Sequence, residues 1–298
     1  MKILFTGSNG LLGQKIAVAT ANYPQHSFLA TSRGGNRTKA MGTARYASMD
    51  ITNAEDVSAV VGAFEPDVII HGAAMTHVDE CELHPEQATL MNVEGTRNIA
   101  NAANEVGAHV VHISTDFIFD GKDGPYKEDA KAHPLSHYGW TKLEAEKIIQ
   151  ELPSWSILRT VLVIGMAEDL SRSNIVLWAK GALEKAQPIN VVDDQFRTPT
   201  LAEDLAQGAL LAADQCAQGV FNISGPDFMS IYELVGQVAA HFGLSMESVT
   251  RTDSTTLNQP AKRPPRTGFD ISKAKEVMGY EPHTFKEALE IIANQAGL

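Results

Sequence analysis

Tyr138 and Lys142 stand four residues apart in HYGWTKLEAEK (137–147), and of the six tyrosines only Tyr138 has a lysine at that spacing. A helix advances about 100° per residue, so the two side chains return to nearly one face. A phenol there can hand a proton to a developing alkoxide, and a nearby ammonium favours its ionised form. An ordinary exposed helix pair has the same spacing. What decides between the two is what the neighbouring elements bring alongside.

Upstream, HVVHIST (109–115) reads as a strand ending on Ser114 and Thr115, followed by Asp116 and Phe117. In a doubly wound sheet the carboxyl ends of the strands face the ligand crevice. A hydroxyl at that edge, followed by Tyr-x-x-x-Lys on the next helix, suits carbonyl reduction. Tyr138 would donate the proton, and Thr115 or Ser114 would hydrogen-bond the same oxygen. Lys142 would hold the hydroxyls of a nicotinamide ribose and lower the phenol pKa.

The first strand–helix junction is TGSNGLLG, with Gly7, Gly10 and Gly13. The glycines permit a tight turn, close approach of backbone to a pyrophosphate and close helix–strand packing. The helix start beyond them presents free N–H groups and partial positive charge. Asn9, Leu11 and Leu12 complete the expected loop. An acid about twenty residues on would hold the ribose 2′-hydroxyl of NAD. Here Ser32 and Arg33 stand at the end of the second strand, with Arg37 close by and no acid between them. A guanidinium matches a 2′-phosphate, so NADP(H) is the expected cofactor. Asp50 and Ile51 are placed to frame the adenine. Gly72, Ala73 and Ala74 supply small residues where the cofactor passes close to the backbone.

Around these motifs, short apolar runs alternate with amphipathic stretches. Strands are predicted at 2–7, 26–32, 67–73, 109–115, 155–161 and 189–192, and helices at 11–23, 54–64, 85–107 and 136–152. This rhythm predicts an α/β fold, a doubly wound parallel Rossmann-like sheet with a smaller C-terminal substrate-binding lobe. Residues 1–161 would form the dinucleotide-binding domain, with 188–212 returning to it. Residues 162–187 and 213–298 would form the lobe. The 298 residues, 44% hydrophobic and 20% charged, suffice for that arrangement. A net charge of −12 argues against a nucleic-acid surface. The two cysteines make no CxxC, and no apolar run reaches membrane-spanning length, so a soluble, cytoplasmic protein is expected.

TGSNGLLG, HGAAMTHVDECE, MNVEGTRNIANAANEVGAHVVHISTDFIFDG, GPYKED, HYGWTK, VVDDQFRTPT and KRPPRTGFD follow one another as in extended short-chain dehydrogenases/reductases. The chain resembles, more narrowly, the dTDP-4-dehydrorhamnose reductase family. The resemblance implies NADPH-dependent reduction of the 4-keto group of a nucleotide-linked 6-deoxysugar. Thr115, Tyr138 and Lys142 would be its catalytic triad and Asn92 the helix asparagine that supports the site. His77, Val78, Asp79, Asp116 and Phe117 would run beside nicotinamide and substrate. Arg263 would sit near the nucleotide diphosphate, with Arg197 assisting or holding a lobe junction.

Some members carry a magnesium ion bridged by glutamates. The matching places here are Lys15 and QPIN (187–190), so no metal is expected. The stretch 161–174 lacks the Trp and Tyr usual after Arg-Thr, which leaves the sugar open. Long helices such as 85–107 and 136–152 pair across a dimer in this superfamily, which implies a homodimer by analogy. Two rival functions stand beside the reductase. One is a nucleotide-sugar epimerase or dehydratase, although dehydratases carry Asp-Glu where this chain has Asp116-Phe117. The other is a non-catalytic binding module like the regulatory subunit of methionine adenosyltransferase.

Overall fold

The structure, a computed structural model, describes residues 1–168 and 174–297. The first half is built from β1 (Lys2–Thr6), α1 (Leu11–Ala19), β2 (Ser27–Ser32), β3 (Arg45–Ser48), α2 (Ala54–Phe64), β4 (Val68–His71), α3 (Val78–Leu83), α4 (Pro85–Thr89), α5 (Gly95–Val106), β5 (His109–Thr115), α6 (His137–Gln150) and β6 (Trp155–Thr160). The second half continues with β7 (Val163–Ile164), α7 (Ile175–Glu184), β8 (Ile189–Val192), β9 (Phe196–Arg197), β10 (Thr200–Leu201), α8 (Ala202–Gln215) and β11 (Gly219–Ile223). It ends with β12 (Met229–Ser230), α9 (Ile231–Phe242), β13 (Val249–Thr252), α10 (Ser272–Met278) and α11 (Phe285–Gln295).

The central sheet has seven strands in the order β11-β6-β5-β4-β1-β2-β3, and every pairing in it is parallel. Its strands are apolar on both faces because both faces are covered. Ile3, Phe5, Phe28, Val68, Ile70, Val111 and Leu158 pack with α1 and α8. The alternate residues Leu4, Leu29, Ile69, Val110 and Ile157 pack with α2, α5 and α6. The order of connection reverses between β1 and β4, which opens a crevice at their carboxyl ends. A third core, with Val176, Val191, Leu234, Val238, Phe285 and Leu289, belongs to a smaller lobe of α7, α9 and α11 around the β8–β13 pair.

Two boundaries differ from the sequence expectation. Strand 189–192 does not return to the main sheet; it pairs with β13 inside the lobe. Of the 188–212 stretch, α8 is what packs on the sheet, through Leu205, Ala206, Ala209 and Leu210. Conversely, β11 and α10 lie C-terminal to residue 213 yet join the main domain, β11 as the outermost strand beside β6. The predicted helix over 85–107 holds a π-turn at Leu90–Glu94, which carries Asn92. Strand β3, which was not predicted, is only partly buried and lacks the apolar run that marks a covered strand. Part of the expected lobe segment, residues 169–173, lies outside the described residues.

Candidate active site

A cleft of about 670 Å³ opens at the β1–β4 switch point. The Gly7–Gly13 turn forms its floor. Gly7 has φ +75°, and a Cβ on Gly13 would stand 2.4 Å from the Gly7 carbonyl, so neither position admits a side chain without rearrangement. Gly10 is the N-cap of α1 and provides no side-chain cap, which leaves the first N–H groups of the helix facing the cleft. Thr6, not anticipated from sequence, steadies the opposite wall: its hydroxyl accepts the Gly72 and Ala73 amides at 3.1 and 3.0 Å. Asn9 ties the turn to the next loop, accepting from the Arg37 amide at 2.8 Å and donating to the Gly35 carbonyl at 3.0 Å. A glycine cradle beside an uncapped helix start fits a dinucleotide pyrophosphate.

Gly7, Asn9, Gly10, Leu11, Leu12, Gly13, Ser32, Arg33, Arg37, Asp50, Ile51, Gly72, Ala73 and Ala74 all line this cleft. The Arg33 guanidinium is 72% exposed, with the Asp50 carboxylate 3.9 Å away. An acid therefore does stand beside Arg33. It comes from the segment after β3 instead of the end of β2, and a 2′-phosphate would compete with it for Arg33. The outer rim includes Gly165 and Ala167, from a segment with no sequence signal for a ligand. There Glu168 takes the Lys39 and Ala40 amides on its carboxylate at 2.5 and 2.9 Å, and its own amide donates to Gln14 of α1 at 2.8 Å.

Ser114, Thr115, Asp116, Phe117, Tyr138 and Lys142 line the inner end of the same cleft. Ser136 caps α6 by accepting from Gly139, which fixes the helix start two residues before Tyr138. The Tyr138 ring is buried, edge-on to Phe117 at 5.8 Å. Burial raises its phenol above the ordinary value; a hydrogen bond with Thr115 opposes this, while Asp116 and Cys81 add to it. The expected lowering by Lys142 is not what the structure shows. The Lys142 ammonium donates to the Ile113 carbonyl at 2.7 Å and lies 3.1 Å from His112 Nε2. Burial pulls its pKa down to about 8, against the attraction of Glu146.

The two hydroxyls on β5 separate cleanly. Ser114 donates to the Glu146 carboxylate at 2.5 Å, inside a buried ion pair in which Arg159 Nη2 reaches Glu146 at 2.8 Å. That engagement argues against Ser114 as the partner of a substrate oxygen. Thr115 accepts from the Phe117 amide at 3.3 Å and donates to Asp116 at 3.2 Å. Asp116 also takes a short hydrogen bond from Thr267 and lies 3.8 Å from Arg197. Burial raises its carboxyl while Arg197 and the two threonines draw it down.

Five predicted residues lie off the cleft wall. Four are Asn92, Asp79, Arg197 and Arg263. Asn92 is buried and fully engaged, with Met75 through both its amide atoms (2.7 and 3.0 Å) and with Thr141 at 3.0 Å. It braces the loop before α3 against α6 and does not present itself to a cofactor. Arg197 donates to the carbonyls of Pro264 and Pro265, at 2.8 and 3.2 Å, so it anchors the KRPPR loop. Arg263 forms a two-pronged pair with Asp79, at 3.0 and 2.7 Å, and Asp79 also accepts the Ala261 amide at 3.2 Å. That guanidinium holds the Asp79 carboxyl below the usual carboxylate range. The fifth, His77, caps α3 by accepting from Glu80, while its neighbour Val78 does reach the cleft. Lys15, at the place the resemblance gives to a metal-bridging acid, lies 2.8 Å from Glu203 and 2.9 Å from Gln295. No group of three His, Cys, Asp or Glu among the described residues could hold a metal ion.

The family model described as RmlD substrate binding domain matches residues 1–297. A dTDP-4-dehydrorhamnose reductase from Aggregatibacter actinomycetemcomitans is 30% identical, the match covering 98% of each chain. The methionine adenosyltransferase 2 subunit beta of Xenopus laevis is 31% identical over 93% of this chain and 82% of its own length. Among solved structures, a Bacillus anthracis dTDP-4-dehydrorhamnose reductase in complex with NADP superposes with a TM-score of 0.84. It is 26% identical, with 99% of each chain covered.

Proposed function

This chain belongs to the RmlD substrate binding domain family, and on that premise we propose that it uses NADPH to reduce the 4-keto group of a nucleotide-linked 6-deoxysugar, as dTDP-4-dehydrorhamnose reductases do. The observation that carries this reading is the meeting of Tyr138, Thr115 and Lys142 at the inner end of a cleft whose outer end fits a dinucleotide. The reduced nicotinamide, when bound, supplies the hydride. Burial keeps the Tyr138 phenol protonated at neutral pH, so it acts as a proton donor to the oxygen that becomes a hydroxyl. Thr115 lies beside the phenol and orients it. Lys142, one turn along α6, offers its ammonium to the ribose and to the tyrosinate left behind. Phe117 and the buried Tyr138 ring keep water from the reacting carbon.

NADPH oxidation against a panel of nucleotide 4-keto-6-deoxysugars tests this reading, with Tyr138→Phe as control. Turnover by the native chain and a loss of about 10²–10⁴ in kcat for the variant are expected. Binding of NADPH without turnover of any ketosugar would remove the reductase reading. It would favour the second one, a dinucleotide-binding regulatory module, which the likeness to the Xenopus laevis subunit supports. Cofactor choice is tested separately. Arg33→Asp is expected to move the NADPH:NADH preference of kcat/KM toward NADH by at least tenfold, and an unchanged ratio would remove Arg33 from the 2′-phosphate site.

A further inference from the structure

Behind Lys142 two imidazoles stand side by side, unaccounted for by the chemistry above. His71 on β4 and His112 on β5 are partners in register, and their ring centroids are 5.4 Å apart. Each is 1% exposed. The proton on His71 is fixed by its neighbours. Thr6 receives two backbone amides, so its own hydrogen goes to His71 Nδ1 at 2.9 Å. Thr96 gives its hydrogen to the Asn92 carbonyl at 2.7 Å, so His71 Nε2–H donates to Thr96 at 3.1 Å. His71 is thus a neutral brace with both nitrogens engaged.

His112 differs. Its Nδ1 is buried and has no hydrogen-bond partner among the described residues, while its Nε2 lies 3.1 Å from the Lys142 ammonium. An ammonium has three N–H groups and can only donate. Facing it, His112 must offer the Nε2 lone pair and keep its own proton on the partnerless Nδ1. A buried polar atom without a partner is destabilising, so the contact of Nε2 with Lys142 is kept at the expense of Nδ1. The Ile113 carbonyl, at 2.7 Å, accepts a second N–H of the same ammonium. With two of its hydrogens directed at β5, one remains, and the cleft that Lys142 lines is the open side left for it.

We propose that His112 is a positioning residue for Lys142: through Nε2 it fixes the rotation of the ammonium and aims the remaining N–H at the ligand cleft. The other ionisable groups around Lys142 are not substitutes. Glu146, on the same helix, is held by Arg159 of β6 and Ser114 of β5. Asp116, after β5, is tied to Thr267 and Thr115. His71 of β4 is committed to two threonines, and Tyr138 lies on α6 one turn before Lys142. A neutral acceptor stabilises the charged amine, so losing it would let burial lower the lysine pKa further from its value of about 8.

The effect on turnover rests on the reductase reading, whereas the effect on Lys142 itself can be read without any substrate. Glutamine places an amide oxygen where Nε2 stands, and asparagine places its oxygen where Nδ1 stands, out of reach of Lys142. In protein labelled with ¹³C at lysine Cε, the Lys142 resonance, assigned with Lys142→Met, is titrated for the native chain, His112→Gln, His112→Asn and His112→Leu. The expected result is a midpoint lowered by about one pH unit or more in the Asn and Leu variants and restored in Gln. The alkaline limb of kcat/KM should move with it. If the Leu variant does not fold, the Asn–Gln comparison decides alone. Equal midpoints in Asn and Gln would overturn the proposal. A shifted midpoint in a protein that turns over no ketosugar would leave the positioning role standing and remove only the reductase reading.

Discussion

Ser114 and Thr115 are adjacent on β5, yet one side chain is engaged on each side of the strand. Ser114 completes the buried Glu146–Arg159 pair, and Thr115 shares hydrogen bonds with Asp116 and the Tyr138 phenol. Their substitutions should therefore separate. Ser114→Ala is expected to lower unfolding free energy by about 1–3 kcal/mol, because an acceptor of Glu146 loses its donor, with kcat within a few-fold of native. Thr115→Val is expected to leave thermal stability within a few degrees and to lower kcat by about a hundredfold. Melting curves and steady-state kinetics on both variants check this. Equal kinetic losses would place both hydroxyls on the substrate. Sequence alone named both residues but had no means of dividing them, since the division depends on Glu146 and Arg159, thirteen residues apart on different elements.

At the scale of elements, the pair between Asp79 at the start of α3 and Arg263 in the KRPPR loop joins α3 to that loop across 184 residues of sequence. Arg197 and Thr267 fasten the same loop to Asp116, next to Thr115. An anionic substrate that uses Arg263 must draw it from Asp79. Asp79→Asn is thus expected to lower KM for the nucleotide sugar and Arg263→Ala to raise it tenfold or more, with kcat changed less in each case. A KM unmoved by both variants would confine the pair to holding the loop.

The same network shows where sequence reading stops. The early strands read as apolar runs between helical periods, and the helical pattern over 54–64 has the observed bounds of α2, whose start the structure shows capped by Asn53. β11 carries only five residues, GVFNI, and its place at the sheet edge follows from pairing with β6, a tertiary fact. The two-residue strands β7, β9, β10 and β12 are too short to have a period at all. Motif residues next to the glycine turn and the Tyr-x-x-x-Lys helix could be named because local backbone places them. The partners of Asp79, Asp116 and Lys142 could not.

The molecule as a whole buries neutral histidines in and beside its central sheet. Burial holds His71 down to about 3 and His109 to about 4, and His112 lies well below its ordinary value. In the unfolded chain these rings take up protons near pH 6.5. Between that pH and about 4 the unfolded state binds more protons, so stability falls as the solution is acidified through this interval. Each ring contributes up to about 1.4 kcal/mol per pH unit. His109 bonds to Ser154 and Ser156 at the amino end of β5, away from the cleft. His109→Gln should accordingly flatten the dependence of urea unfolding on pH between 7 and 5, and an unchanged slope would exclude this ring as a source. No helix among the described residues is long and apolar enough to cross a membrane.

Glu168 ties the rim of the cleft together on two sides, to the 39–40 backbone and to Gln14 of α1. Lys39, Ala40 and Gln14, close in sequence to the cleft-lining Arg37 and Gly10, are thereby joined through one carboxylate and one amide to the residue after Ala167. For a dinucleotide that leaves the cleft past this corner, the opening of those bonds would add to the barrier to release, a matter of residence time and not of affinity alone. In the proposed reductase cycle, escape of the oxidised nucleotide is the step these bonds would slow. Glu168→Ala would then hasten nucleotide escape in stopped-flow fluorescence and raise the steady-state rate while single-turnover hydride transfer stays as it was.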